Sequence, residues 1–135
     1  MGRNLLTLLL GGFEMSASEQ QLLAILRIGQ DTTMRGEGIS LQEALSRVSY
    51  LAVRERFGAP ELASILKRNP HFLDIWLAYS EDKRTSGGWW LADDLRSIGQ
   101  VSCPNSVKEF STPEAAVAAY VIRELDFWAS IQPAI

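Results

Sequence analysis

The stretch YSEDKRTSGGWWLADD, residues 79–94, decides how this chain is read. Residues 80–86 are wholly polar, Gly87 and Gly88 give the backbone freedom to turn, and Trp89 and Trp90 stand side by side. Successive residues of a strand point to opposite faces. If residues 89–92 are extended, one tryptophan enters the core and the other lies on the outer face. Ahead of this run, Ile75, Leu77 and Tyr79 alternate with Trp76, Ala78 and Ser80. The alternation fits a strand, although the same residues would also prolong a helix begun at Asn69-Pro70. The polar, glycine-containing link and the second aromatic run favour the strand, so a hairpin of residues 75–80 with residues 89–92 is expected.

Beyond the hairpin, residues 93–97 read as a turn, 98–102 as a third strand and 106–110 as a fourth. Cys103-Pro104-Asn105 supplies turn chemistry between the last two. The sequence STPEAAVAAYVIRELDFWASI (residues 111–131) is a helix, with Thr112 as cap, Pro113 at the first position and Glu114 facing the N-terminal dipole. Its inward stripe is Val117, Val121, Leu125 and Trp128.

Before the hairpin the periodicity is helical. Ser16-x-x-Glu19 is a capping-box pattern, with Ser18 as the alternative cap, and Gly29 stops the helix that follows. Ser40-x-x-Glu43 opens a second helix, which runs with Leu41, Ala44, Leu45, Val48, Leu51 and Ala52 on one face to Gly58. Pro60 opens a third, with Leu62, Ile65 and Leu66 inward, and Asn69-Pro70 a short fourth. Helices, then an antiparallel meander of three to four strands, then a helix packed on the sheet, make an α+β fold.

The chain has 135 residues, 47% hydrophobic and 21% charged, which is one ordinary globular core. Residues 16–135 are expected to form the single domain. Residues 1–15 read as a disordered extension, with Met15 as an alternative start. The Arg3 and Leu5–Leu10 run also outlines a secretory signal, which would place the protein in the periplasm rather than the cytoplasm. Net charge is −3, and all of it falls in residues 68–135, which hold six basic and nine acidic groups. An acidic chain without a basic stripe is not expected to bind nucleic acid directly, and no stretch is long enough to span a membrane.

No catalytic or metal set stands out. His71 and Asp74 share a helical face, but one histidine with a carboxylate three residues on is as readily a local ion pair. Cys103 is the only cysteine and lacks a cationic neighbour in sequence, so neither a disulfide nor an activated thiol is expected. Glu81-Asp82 and Asp93-Asp94 flank the link, and their spacing is not that of a calcium loop. No cofactor is expected. The features left are an exposed tryptophan and acids on one surface, the ingredients of a protein-binding patch.

YSEDKRTSGGWWLADD together with STPEAAVAAYVIREL (residues 111–125) resembles the small immunity proteins of bacterial polymorphic-toxin systems, including those of contact-dependent inhibition and type VI secretion. The resemblance covers roughly residues 75–130. It implies a non-enzymatic protein that binds a cognate toxin and blocks its active site or an essential surface. A basic nuclease or nucleotide-targeting effector is the kind of toxin an acidic face suits. Tyr79, Glu81, Asp82, Trp90, Asp93 and Asp94 are the expected contact residues. The competing expectations are a secretion adaptor or phage-type inhibitor that binds a host machine, and a small acid–base enzyme built on His71.

Overall fold

The computed structural model describes residues 16–33, 38–83 and 87–130; the expected extension at residues 1–15 lies outside them. The elements are α1 (Glu19–Asp31), α2 (Leu41–Arg47), α3 (Tyr50–Arg54), α4 (Ala59–Arg68), α5 (His71–Asp82), β1 (Trp89–Leu91), β2 (Ser97–Gln100), β3 (Cys103–Glu109) and α6 (Pro113–Ser130). The fold is α+β, with a three-stranded antiparallel sheet in the order β1-β2-β3 and the C-terminal helix packed on it. No helix among the described residues is long and apolar enough to cross a membrane.

Ser18, rather than Ser16, caps α1. Its Oγ accepts the Gln21 amide at 3.0 Å while the Gln21 side chain accepts the Ser18 amide at 2.9 Å. Gly29 does not end this helix, which continues to Asp31. Instead it makes room. The Trp76 indole lies so close that a Cβ on residue 29 would come within 2.8 Å of its Cε2. Trp76 is fully buried, and its ring N–H donates to the Leu26 carbonyl at 3.0 Å. The second expected helix is broken in two. Ser49 adopts a left-handed conformation (φ 53°), and the break turns Tyr50 inward.

The expected strand at residues 75–80 is helix. Phe72, Trp76 and Tyr79 are buried at spacings of four and three, which is a helical stripe on α5. Ile75, Leu77 and Ala78 are half-buried on its flanks, and this width of apolar surface produced the apparent alternation. The hairpin of residues 75–80 with residues 89–92 therefore does not form. β1 pairs instead with β2, Trp90 opposite Gly99 and Leu91 opposite Ile98.

The last turn of the sheet also differs from expectation. Val101-Ser102 turns the chain, with Ser102 at φ 67°, so Cys103 already belongs to β3. The register shifts between Ile98↔Lys108 and Gln100↔Cys103. Ser106 fills the resulting bulge: its Oγ accepts the Gln100 amide at 2.7 Å and donates to the Cys103 carbonyl at 2.6 Å.

Helix α6 is more than a cover. Val117, Val121 and Leu125 are fully buried as the stripe requires, but Ala116, Ala118 and Tyr120 on its other sides are buried too. The helix runs between α4 and the sheet, touching both. A helix apolar around most of its circumference is a central element.

Gly29→Ala tests the packing of α1 on α5. Alanine favours a helix, yet its methyl collides with Trp76, so the variant is expected to lose about 1–3 kcal/mol in urea unfolding.

Candidate functional site

The site is organised from below by one acid. Glu124 is fully buried in the middle of α6. It accepts hydrogen bonds from the Tyr79 hydroxyl (2.8 Å), the Lys83 ammonium (2.7 Å to each oxygen), the Trp89 amide (2.7 Å) and the Trp128 indole (2.9 Å). These donors occupy the lone pairs of both carboxylate oxygens. They also come from α5, the residue that ends it, β1 and α6, so the carboxylate joins three elements. Gly88 is required beside it. Its φ of 84° suits glycine, and a Cβ would come within 2.5 Å of Glu124 Oε1 and 2.7 Å of Lys83 Nζ.

The knot sets the direction of β1. Ala92 N bonds Ser97 O and Val101 N bonds Gly88 O, so the amides of Trp89 and Leu91 point away from β2. Both are capped: Trp89 by Glu124, and Leu91 by the Ser80 hydroxyl at 2.9 Å. The free edge of β1 is thereby closed by side chains from α5 and α6.

The two tryptophans divide as strand geometry requires. Trp89 shares a face with Leu91, packs against the core and carries the Arg123 guanidinium 5.0 Å above its ring. Trp90 points to the outer face, where its indole lies across Gly99 of the neighbouring strand so closely that no side chain would fit there. On one side of Trp90 is a shallow concavity of about 240 Å³ lined by Gln100, Ser102, Cys103 and Pro104. On the other, three and four residues along the chain, are Asp93 and Asp94, both exposed.

Glu81 and Asp82 end α5 and are exposed, and Glu81 meets Asp93. Its pKa is raised above the usual carboxylate range, chiefly by a hydrogen bond with Asp93, then by partial desolvation and the charges of Asp93 and Asp82. A second carboxylate beside the first disfavours its ionised form. No lysine or arginine among the described residues pairs with Glu81, Asp82 or Asp93. Asp94 is occupied locally, accepting the Arg96 amide at 2.9 Å.

Of the six expected contact residues, Glu81, Asp82, Asp93 and Asp94 are exposed, Trp90 is half-buried, and Glu81 touches Asp93. Tyr79 is the correction: it is 8% exposed and its hydroxyl is spent on Glu124, because residue 79 lies on the inner stripe of a helix and not on a strand. Glu124 itself went unmarked in the sequence reading. The available signal was its place three residues after Val121 and four before Trp128, a charge set into the buried face.

His71 is exposed at the start of α5 with its ring 4.2 Å from that of Phe72. Cys103 is a free, exposed thiol. Among the described residues no group of three or more histidine, cysteine or acidic side chains is arranged to hold a metal ion. No family model matches the chain, and no match was found among curated proteins or solved structures.

Removing one partner of a buried ion pair leaves the other charge uncompensated. Glu124→Ala is therefore expected to cost about 3–5 kcal/mol in denaturant unfolding, and to raise hydrogen exchange at the Trp89 amide. A second prediction concerns alkali. All three tyrosines of the chain have pKa values pushed far above their ordinary 10.0. Burial is the main cause in each, reinforced by Asp126 at Tyr50 and by Glu124 at Tyr79 and Tyr120. Groups with raised folded values contribute stability that is intact below about pH 10 and lost as pH rises beyond it. Lys83 opposes this in part, since burial lowers its pKa against the pull of Glu124. Tyrosinate absorbance is expected to appear together with the loss of helical circular dichroism, with no free titration near pH 10.

Proposed function

We propose that this chain is an immunity protein, which binds a cognate bacterial toxin and neutralises it by occluding the toxin's active site or an essential surface. The observation that carries this reading is the outward Trp90, seated across Gly99, with a concavity beside it and, a few residues along the chain, acids that no lysine or arginine among the described residues pairs. An aromatic anchor held on a strand loses little freedom on binding. A cationic group from a partner placed beside the Glu81–Asp93 contact would favour the ionised form of both acids. A partner presenting lysine or arginine to this end, as a basic nuclease does, gains both encounter rate and contact energy. A stable complex needs about 800 Å² from each side. The chain's own sheet face, the end of α5 and the 93–96 turn are the surface offered for it.

The test is whether the adjacent gene encodes a toxin that this chain binds, and whether the chain protects cells that express that toxin. Trp90→Ala is expected to weaken binding roughly thirty-fold, the size of an interface anchor of about 2 kcal/mol. Asp93→Lys is expected to slow association and flatten its salt dependence. Both residues lie outside the core, so both variants should retain the wild-type circular dichroism. If each variant binds as tightly as the parent, the proposed surface is wrong; if the wild-type chain neither binds the toxin nor protects cells, the immunity reading is wrong.

A further inference from the structure

The two edges of the sheet are treated differently. The β1 edge is closed by Glu124 and Ser80. Strand β3 is exposed along nearly its whole length, and nothing among the described residues pairs with its outer side. Its hydrogen-bonding pattern follows from its neighbour. Phe110 N bonds Arg96 O at 2.8 Å and Lys108 faces Ile98, so the amides of residues 108 and 110 point to β2. By antiparallel alternation those of Val107 and Glu109 point outward. Val107 is 49% exposed, one of two large exposed hydrophobic residues among those described, and it lies on the outer face with Trp90.

We propose that β3 pairs antiparallel with β3 of a second copy of this chain, with Val107 on the two-fold axis, joining two three-stranded sheets into one of six strands. The charges select the register. A two-fold through Lys108 or Glu109 sets like charges directly opposite, which is unfavourable. A two-fold through Asn105 or Ser106 draws the pairing into the Cys103–Ser106 bulge, where the ladder is already displaced. With Val107 on the axis, Asn105 stands opposite Glu109, Ser106 opposite Lys108, and the two valine side chains meet on the outer face. The outward amide and carbonyl of Val107 in each copy then meet those of the other. The two Trp90 rings come to lie on one continuous face. The inference does not depend on the function proposed above.

Sedimentation equilibrium over a range of protein concentrations tests it, with no other ligand needed. The wild-type chain is expected to show a monomer–dimer equilibrium, and Val107→Lys, which opposes two charges on the axis, to weaken it roughly tenfold or more. Val107 carries no core packing, so the variant's circular dichroism should match the parent's. A second variant, Val107→Cys with Cys103→Ser, places two thiols at a hydrogen-bonded pair with Cα atoms about 5.5 Å apart, within disulfide reach. Mild oxidation is expected to cross-link it. The wild-type thiol at Cys103 lies opposite residue 111, past the end of the strand, and is expected not to cross-link. A monomer at every concentration, association indifferent to Val107→Lys, or a Val107→Cys variant that resists cross-linking overturns the proposal.

Discussion

The buried carboxylate of Glu124 is the constraint on which the rest of this structure depends. A charge taken out of water is tolerated only when it is paired and its oxygens are hydrogen-bonded. Here the partners come from separate elements: Tyr79 on α5, Lys83 at its end, the Trp89 backbone on β1 and Trp128 on α6. None of these can shift without leaving a polar group unmatched. Hydrophobic burial alone would hold α5, β1 and α6 together over a range of positions, whereas the carboxylate selects one. The positive φ at Gly88 is part of the same requirement, since the backbone must pass where a side chain would meet the carboxylate.

From that anchor the outer surface follows. Fixing the Trp89 amide on Glu124 sets which residues of β1 face the core, and therefore that Trp90 faces out. It also closes one edge of the sheet, while the other has no pairing strand among the described residues. The Glu81–Asp93 contact follows from the same docking, because α5 ends beside the strand whose exit carries Asp93. The core and the candidate surface are thus two sides of one arrangement, and the acids at the surface inherit their proximity from a buried ion pair.

Much of the fold was legible because its signals are local. Pro113 after Thr112, Pro60 after Gly58, and Ser40 three residues before Glu43 mark helix starts whose hydrogen bonds are made within a few residues of the cap. The Trp89–Leu91 strand and the 93–96 turn were equally plain. The errors share a cause. Residues 75–80 read as a strand because a helix buried over a wide arc shows apolar residues at nearly every position, and period alone does not separate the two. Gly29 read as a stop because its role is to admit Trp76, which lies 47 positions away. Val101-Ser102, with no glycine or proline, made the turn that Cys103-Pro104-Asn105 was expected to make.

By itself, the sequence determined the fold class, the succession of helices, antiparallel sheet and final helix, the division of Trp89 from Trp90 and the gathering of negative charge in the second half. Each of these rests on periodicity, capping or composition, which act over a few residues. Only the tertiary structure decided which tryptophan faces out, that Tyr79 is internal, and that Glu81 and Asp93 touch. Those outcomes turn on pairings such as Glu124 with Trp89 and Ser80 with Leu91, in which a side chain on one element completes the backbone of another. Such a pairing leaves no mark in either segment alone, since a buried glutamate and a solvated one are the same letter until the donors around it are in place.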